Sequence, residues 1–151
     1  MRKRMILATA AALMMAVAGH AVAAEIEVKM LNRGTEGVMV FQPALVKVAL
    51  GDTVKFVATD KGHNVETIKG MLPADALPFV GKNGADVVVT FDKPGVYGVK
   101  CLPHYGMGMV AMIVVGTPTN LEEAKAIPQS GKAKQAMAGL FDKLAAQTAA
   151  K

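Results

Sequence analysis

The sequence predicts an all-β protein, a Greek-key β-sandwich with two α-helices appended at its carboxyl end. Three observations lead there. Short apolar or alternating segments of about six residues recur between Gly- and Pro-containing turns, the pattern of a sandwich. After Gly116-Thr117-Pro118 the period changes from that of strands to that of helices. Finally, a cluster of soft donor side chains lies in a short loop between the last two strand-like segments.

Ile26 to Leu31 alternates apolar with charged residues and reads as a half-buried strand. Asn32 to Gly37 reads as a loop, and Val38 to Phe41 as a second strand. Pro43 donates no hydrogen bond, so it marks an edge, a bulge or a bend. Strand character resumes from Leu45 to Leu50, turns at Gly51-Asp52, and returns from Thr53 to Thr59. Asp60-Lys61-Gly62 leads the chain into His63-Asn64-Val65-Glu66-Thr67. Between Ile68 and Ala85 the glycines and prolines imply a long connection with a helical turn near Pro73 to Leu77. Asp86 to Phe91 is apolar enough to predict a central strand. Asp92-Lys93-Pro94-Gly95 is a tight turn, followed by a strand from Val96 to Cys101 and another from Met109 to Val115.

In the tail, Asn120 and Glu123 predict a capping box opening a helix that runs to about Ile127, where Pro128 stops it. A second helix follows from Lys132 to about Thr148. Its apolar positions Ala133, Ala136, Met137, Leu140, Phe141 and Leu144 keep i, i+3, i+4 spacing. Packing against the sandwich accounts for that face better than a membrane surface does.

The amino terminus predicts an address. Met1-Arg2-Lys3-Arg4 is a basic opening, Met5 to Val17 an apolar stretch, and Ala21-Val22-Ala23 a cleavage motif. Residues 1–23 are therefore expected to be a signal peptide, and residues 24–151 one exported domain. The apolar stretch is short of the roughly 20 residues of a membrane span. His20 falls within the removed segment and is no candidate ligand. Subtracting the segment's three basic residues from 17 leaves 14 against 12 acidic ones, a formal charge of +2. Scattered charge and few aromatics give no footprint for nucleic acid. One cysteine allows no internal disulfide, so in an exported chain the thiol asks for another partner, and a metal suits it.

That cysteine lies in Lys100-Cys101-Leu102-Pro103-His104-Tyr105-Gly106-Met107-Gly108-Met109, which reads C-x2-H-x4-M. Thiolate and thioether sulfur favour Cu(I), and imidazole serves both copper states. His63 in Gly62-His63-Asn64-Val65 is the candidate for the remaining donor. His63, Cys101 and His104 with Met109 as a weak axial ligand make the donor set of a type 1 blue-copper electron-transfer centre, with one copper ion per chain. Zinc fits less well, because a thioether is an unusual zinc ligand. A Cys101–His104 nucleophile pair would need an oxyanion site that the sequence does not display. A copper-delivery protein would need a more readily exchanged site.

These residues carry a resemblance. The segment Gly62 to Glu66, the loop Cys101 to Met109, and the helices after Gly116-Thr117-Pro118-Thr119-Asn120 resemble the pseudoazurins, blue-copper proteins of the cupredoxin superfamily. The resemblance spans essentially all of the chain after the signal peptide, including the helical extension from about residue 120 that plain plastocyanin-like domains lack. It implies a cupredoxin-like fold, the ligands His63, Cys101, His104 and Met109, and a backbone N–H of Asn64 donated to the Cys101 sulfur. It also implies a soluble monomeric one-electron shuttle of the periplasm, not an enzyme, with copper nitrite reductase of denitrification as the electron acceptor. Pro103 lacks an N–H, so no second donor is expected from that position.

From this site, His104 is expected to be the electron port, with Gly106, Gly108, Met39 and Met107 around it. Arg33, Lys61, Lys82 and Lys100 are candidates for a basic ring that steers an acidic partner. Tyr97 and Tyr105 read as packing residues.

Overall fold

The structure is a computed structural model that describes residues 22–150. Most of the expected signal peptide, including His20, lies outside the described residues.

Eight strands form two four-stranded sheets. They are β1 (Glu25–Gly34), β2 (Gly37–Gln42), β3 (Leu45–Val48), β4 (Thr53–Val57), β5 (Glu66–Thr67), β6 (Val87–Thr90), β7 (Gly95–Lys100) and β8 (Val110–Val115). One sheet has the order β2-β1-β4-β6 and the other β3-β8-β7-β5. β1 pairs with β4, and β3 with β8, in parallel; the remaining pairs are antiparallel. The sandwich with two carboxyl-terminal helices, α1 (Leu121–Ala126) and α2 (Gly131–Ala149), is the predicted class.

Strand alternation divides the interior into two cores. On β7 and β8 the residues Tyr97, Val99, Ala111, Ile113 and Val115 face the other sheet and join Val28, Phe41 and Phe56. Their neighbours Val96, Val110, Met112 and Val114 face outward and meet Ala133, Met137, Leu140 and Leu144 of α2. β8 is therefore buried at every position. A strand covered on both faces reads as a continuous apolar run rather than an alternating one.

Four local expectations are corrected. β1 runs on through Asn32 to Gly34, because Arg33 pairs with Val38 and Gly34 with Gly37 in a hairpin. β6 is an edge strand, not a central one, with Val88 57% exposed; an apolar run does not say whether a second neighbour exists. Pro73 to Leu77 forms a turn closed by the Ala76 N–H on the Pro73 carbonyl, with no helix. Asn120 makes no side-chain cap. Its Oδ1 accepts from the Val96 N–H at 2.7 Å and its Nδ2 donates to the Val96 carbonyl at 3.0 Å. β5 reaches only Val99 and Lys100, so the rest of that edge of β7 is open. Asn120 fills it at Val96, while Ile68 and Met71 fill it at Gly98. Satisfying buried backbone groups outweighs capping one short helix.

Candidate metal centre

The site is built at one end of the sandwich, where β7 stops. Leu102–Met107 forms a 3-10 helix with Pro103 in its first turn and Gly108 at φ +94 closing it. The loop is drawn shut by its own backbone: the Cys101 N–H donates to the Met109 carbonyl at 3.0 Å and the Met109 N–H to the His104 carbonyl at 3.2 Å. Cys101 and Met109 are both fully buried in the inner core, whereas His104 is half-buried.

His63 is fully buried and comes from the segment before β5. Its Nδ1 lies 3.1 Å from His104 Nδ1. Cys101 Sγ stands 3.7 Å from the first of these nitrogens and 3.4 Å from the second. Among the described residues these three are the group whose donor atoms lie close enough together to hold a metal ion. Met109 adjoins them through the two backbone bonds just described.

The donor set fits a thiophilic cation. His63 Nε2 donates to the side-chain oxygen of Asn32 at 2.9 Å. An amide oxygen only accepts, so Nε2 carries the proton and Nδ1 offers a lone pair in the neutral ring. Burial, and secondarily the nearby His104, hold the His63 pKa below its ordinary value, while Asp60 opposes this. Burial pushes the Cys101 thiol up; the backbone N–H groups of Asn64 and His104 pull the other way, and Glu66 raises it further. A buried sulfur with these donors beside it favours a thiolate only when a cation shares the space. The expected Asn64 N–H acts on the thiol in the direction anticipated, lowering its pKa. The His104 N–H acts in the same direction, and its backbone partner is the Cys101 carbonyl at 3.2 Å.

The Asn64 side chain braces the two ligand segments. Its Oδ1 accepts from the Leu102 N–H at 2.8 Å, and its Nδ2 donates to Glu66 at 3.1 Å.

The surface around His104 is apolar, with Leu102 57% and Met107 48% exposed. Leu102 was not among the expected port residues; its place opposite the buried Cys101 on the loop was the missed signal. Met39, at φ +51, is partly buried and packs on the inner core. The basic ring loses one member. Lys100 Nζ lies 3.5 Å from Glu66 Oε1 and 5.1 Å from the centre of the Tyr105 ring, so it is tied down rather than presented. Arg33, Lys61 and Lys82 are exposed and form no ion pair among the described residues.

The sequence model of the copper-binding proteins of the plastocyanin/azurin family matches residues 28–116, stopping before α1. The pseudoazurin of Methylorubrum extorquens is 50% identical over 140 residues, 92% of this chain and 95% of its own. That of Paracoccus pantotrophus is 48% identical over 132 residues, covering 87% and 91% of the two chains. A plastocyanin of Ulva arasakii matches over 91 residues, which is 54% of this chain but 92% of its own. The crystal structure of pseudoazurin from Methylobacterium extorquens AM1 superposes with TM-score 0.77 at 53% identity, covering 80% of this chain and 98% of that one. Native pseudoazurin from Hyphomicrobium denitrificans gives 0.76 at 46% identity, covering 79% and 97%.

Proposed function

The chain belongs to the plastocyanin/azurin family of copper-binding proteins, and within it to the pseudoazurins; from that premise we propose a periplasmic one-electron carrier whose copper is held by His63, Cys101, His104 and Met109. Copper is its cofactor, and the protein is an electron carrier rather than an enzyme. The bound ion supplies a Cu(I)/Cu(II) couple that exchanges one electron per cycle.

The observation that supports these ligands best is the convergence of two imidazole Nδ1 atoms and one thiol sulfur within a buried pocket. His63 is the fixed donor, oriented by Asn32. His104 is the donor nearest solvent, and the exposed Leu102 and Met107 beside it give a partner an apolar landing surface that excludes water. Cys101 carries the thiolate, with the Asn64 N–H withdrawing electron density from it. Met109 completes the set from the position just before β8. The two imidazoles and the sulfur are held by packed sheets and a braced loop, so little of the protein has to rearrange when the charge at the site changes.

The acceptor in this reading is a copper nitrite reductase, and the carrier works as a monomer after residues 1–23 are removed. Arg33, Lys61 and Lys82 favour an acidic docking face on that acceptor. The optical spectrum of the oxidised protein tests the ligands. An intense thiolate-to-copper band is expected, and it should vanish in Cys101→Ser. Retention of the band in the serine variant would overturn the ligand set. Export is tested by the mass of the periplasmic protein, which should begin at Ala24. Oxidation of the reduced carrier by nitrite reductase and nitrite, followed by stopped flow, tests the acceptor. A copper-delivery protein would instead surrender its copper readily to a chelator.

A further inference from the structure

The 3-10 helix that carries His104 has no buried residue of its own. Such short helices also have poorer hydrogen-bond geometry than an α-helix. Its position must therefore be set from outside: Asn64 holds its first residue, Leu102, and α2 packs against it. Gly131, the first residue of α2, has φ +56, and a Cβ there would stand 3.0 Å from the Gly106 carbonyl oxygen and 3.5 Å from its Cα. From the other side, a Cβ on Gly108 would stand 3.4 Å from Lys132 Cβ and 3.4 Å from the Lys132 oxygen. Two glycines thus let two backbones approach closely.

Side chains reinforce the contact. Tyr105, the neighbour of His104, donates its hydroxyl to Gln129 Oε1 at 2.7 Å and accepts from the Ser130 N–H at 3.4 Å. Gln129 Nε2 donates to the Met71 sulfur at 3.3 Å and to the Ile127 carbonyl at 3.2 Å. Behind this segment α2 buries Ala133, Met137, Leu140 and Leu144, so the contact has a rigid backing.

We propose that residues 129–132 are a clamp that sets where the His104 loop stands relative to His63 and Cys101, with Gly131, Gln129 and Tyr105 as positioning residues. The inference rests on His104 being a copper ligand. It assigns the helical extension, which begins beyond the stretch matched by the shared family model, a part in the metal centre. A side chain at 131 must push Gly106 aside by a few tenths of an ångström, because the atom it meets is backbone. Sites of this kind are sensitive to displacements of about 0.5 Å.

The experiment compares Gly131→Ala, Tyr105→Phe and Leu144→Ala in the copper-loaded protein and, by amide NMR, in the metal-free protein. Leu144 is buried on the same helix, far along from the loop. The first two substitutions should shift the thiolate-to-copper absorption and the reduction potential, and should move the amide resonances of residues 101–109 without metal. Leu144→Ala should lower the melting temperature and leave all three unchanged. Wild-type absorption, potential and amide shifts in both Gly131→Ala and Tyr105→Phe would overturn the clamp, as would an equal effect from Leu144→Ala. Should Gly131→Ala not fold, Tyr105→Phe decides, since it removes a single hydroxyl. Absence of the absorption from the wild-type protein would overturn the ligand assignment instead, and the metal-free amide shifts would still decide the clamp.

Discussion

The two imidazoles at the copper site are held in opposite ways. His63 is fully buried and has its far nitrogen fixed by Asn32 of β1. His104 is half-buried on a 3-10 helix with no buried residue, and its loop leans on α2. One side of the site is anchored by the sandwich core and the other is presented at its rim. A carrier needs both: a donor that keeps the metal, and one close enough to a partner for an electron to pass.

Removing the anchor should have the largest effect on this contrast. Asn32→Leu leaves the His63 Nε2–H without its acceptor and frees the ring to take the wrong tautomer. Loss of such an orienting partner weakens metal binding roughly 10–100-fold. Competition with a chelator measures it, and the loss should fall on affinity while the surface around His104 docks as before. Unchanged copper affinity would show that the core alone fixes His63.

The rim should respond through tuning rather than retention. Pro103→Ala restores an N–H near the Cys101 sulfur, and a further hydrogen bond draws density from the thiolate. Cu(II) is then destabilised relative to Cu(I), so the reduction potential should rise while copper affinity changes little. Voltammetry giving an unchanged or lower potential would mean that an N–H at position 103 does not reach the sulfur.

Docking should sort the lysines by how each is held. Lys61 is exposed, Lys100 is paired with Glu66, and Lys143 on α2 is paired with Glu36 at the hairpin tip. Charge reversal at Lys61 should slow association with an acidic partner most, and its effect should fade as salt shortens the screening length to ~10 Å at 0.1 M. Equal slowing at all three positions in stopped flow would mean that no localised ring steers the encounter.

The donor residues were legible in the sequence, and what anchors and braces them only in part. C-x2-H-x4-M names three donors because they share one loop, and strand spacing around it frames them. His63 stood out as the remaining imidazole after a turn, and the resemblance agreed with it. Asn32 was out of reach because its role arises where β1 continues past its alternating stretch, a matter of hairpin pairing rather than pattern. Asn120 looked like a cap because capping is local, yet its side chain completes the edge of β7, which only topology reveals. Lys100 looked free for the same reason: its partner Glu66 lies across the β5–β7 pair. The clamp of α2 on the loop depends on two glycines, Gly131 and Gly108, 25 and 24 positions away from their contacts Gly106 and Lys132, and no periodicity encodes that.

The smallest effect should come from the far end of β7, which serves as a control on the comparison. Tyr97 sits four residues before Cys101, fully packed, with its ring 4.9 Å from that of Phe91 and its hydroxyl donated to the Lys93 carbonyl at 3.0 Å. Tyr97→Phe keeps the ring and loses that bond, which costs about 0.5–1.5 kcal/mol at neutral pH. Burial, with Asp92 adding to it, raises the Tyr97 pKa above its ordinary value. The unfolded chain therefore ionises first, near pH ~10. Stability due to the neutral phenol is whole below that pH and is lost as pH rises through the folded pKa. Phenylalanine has nothing to ionise, so the urea midpoint of the wild type should fall toward that of the variant between pH 8 and pH 11. The reduction potential should be the same in both at neutral pH. A gap that stays constant or widens in alkali would remove the burial argument. A shifted potential would mean that the end of β7 reaches the copper site through the strand, and the contrast between an anchored core and a tuned rim would have to be redrawn.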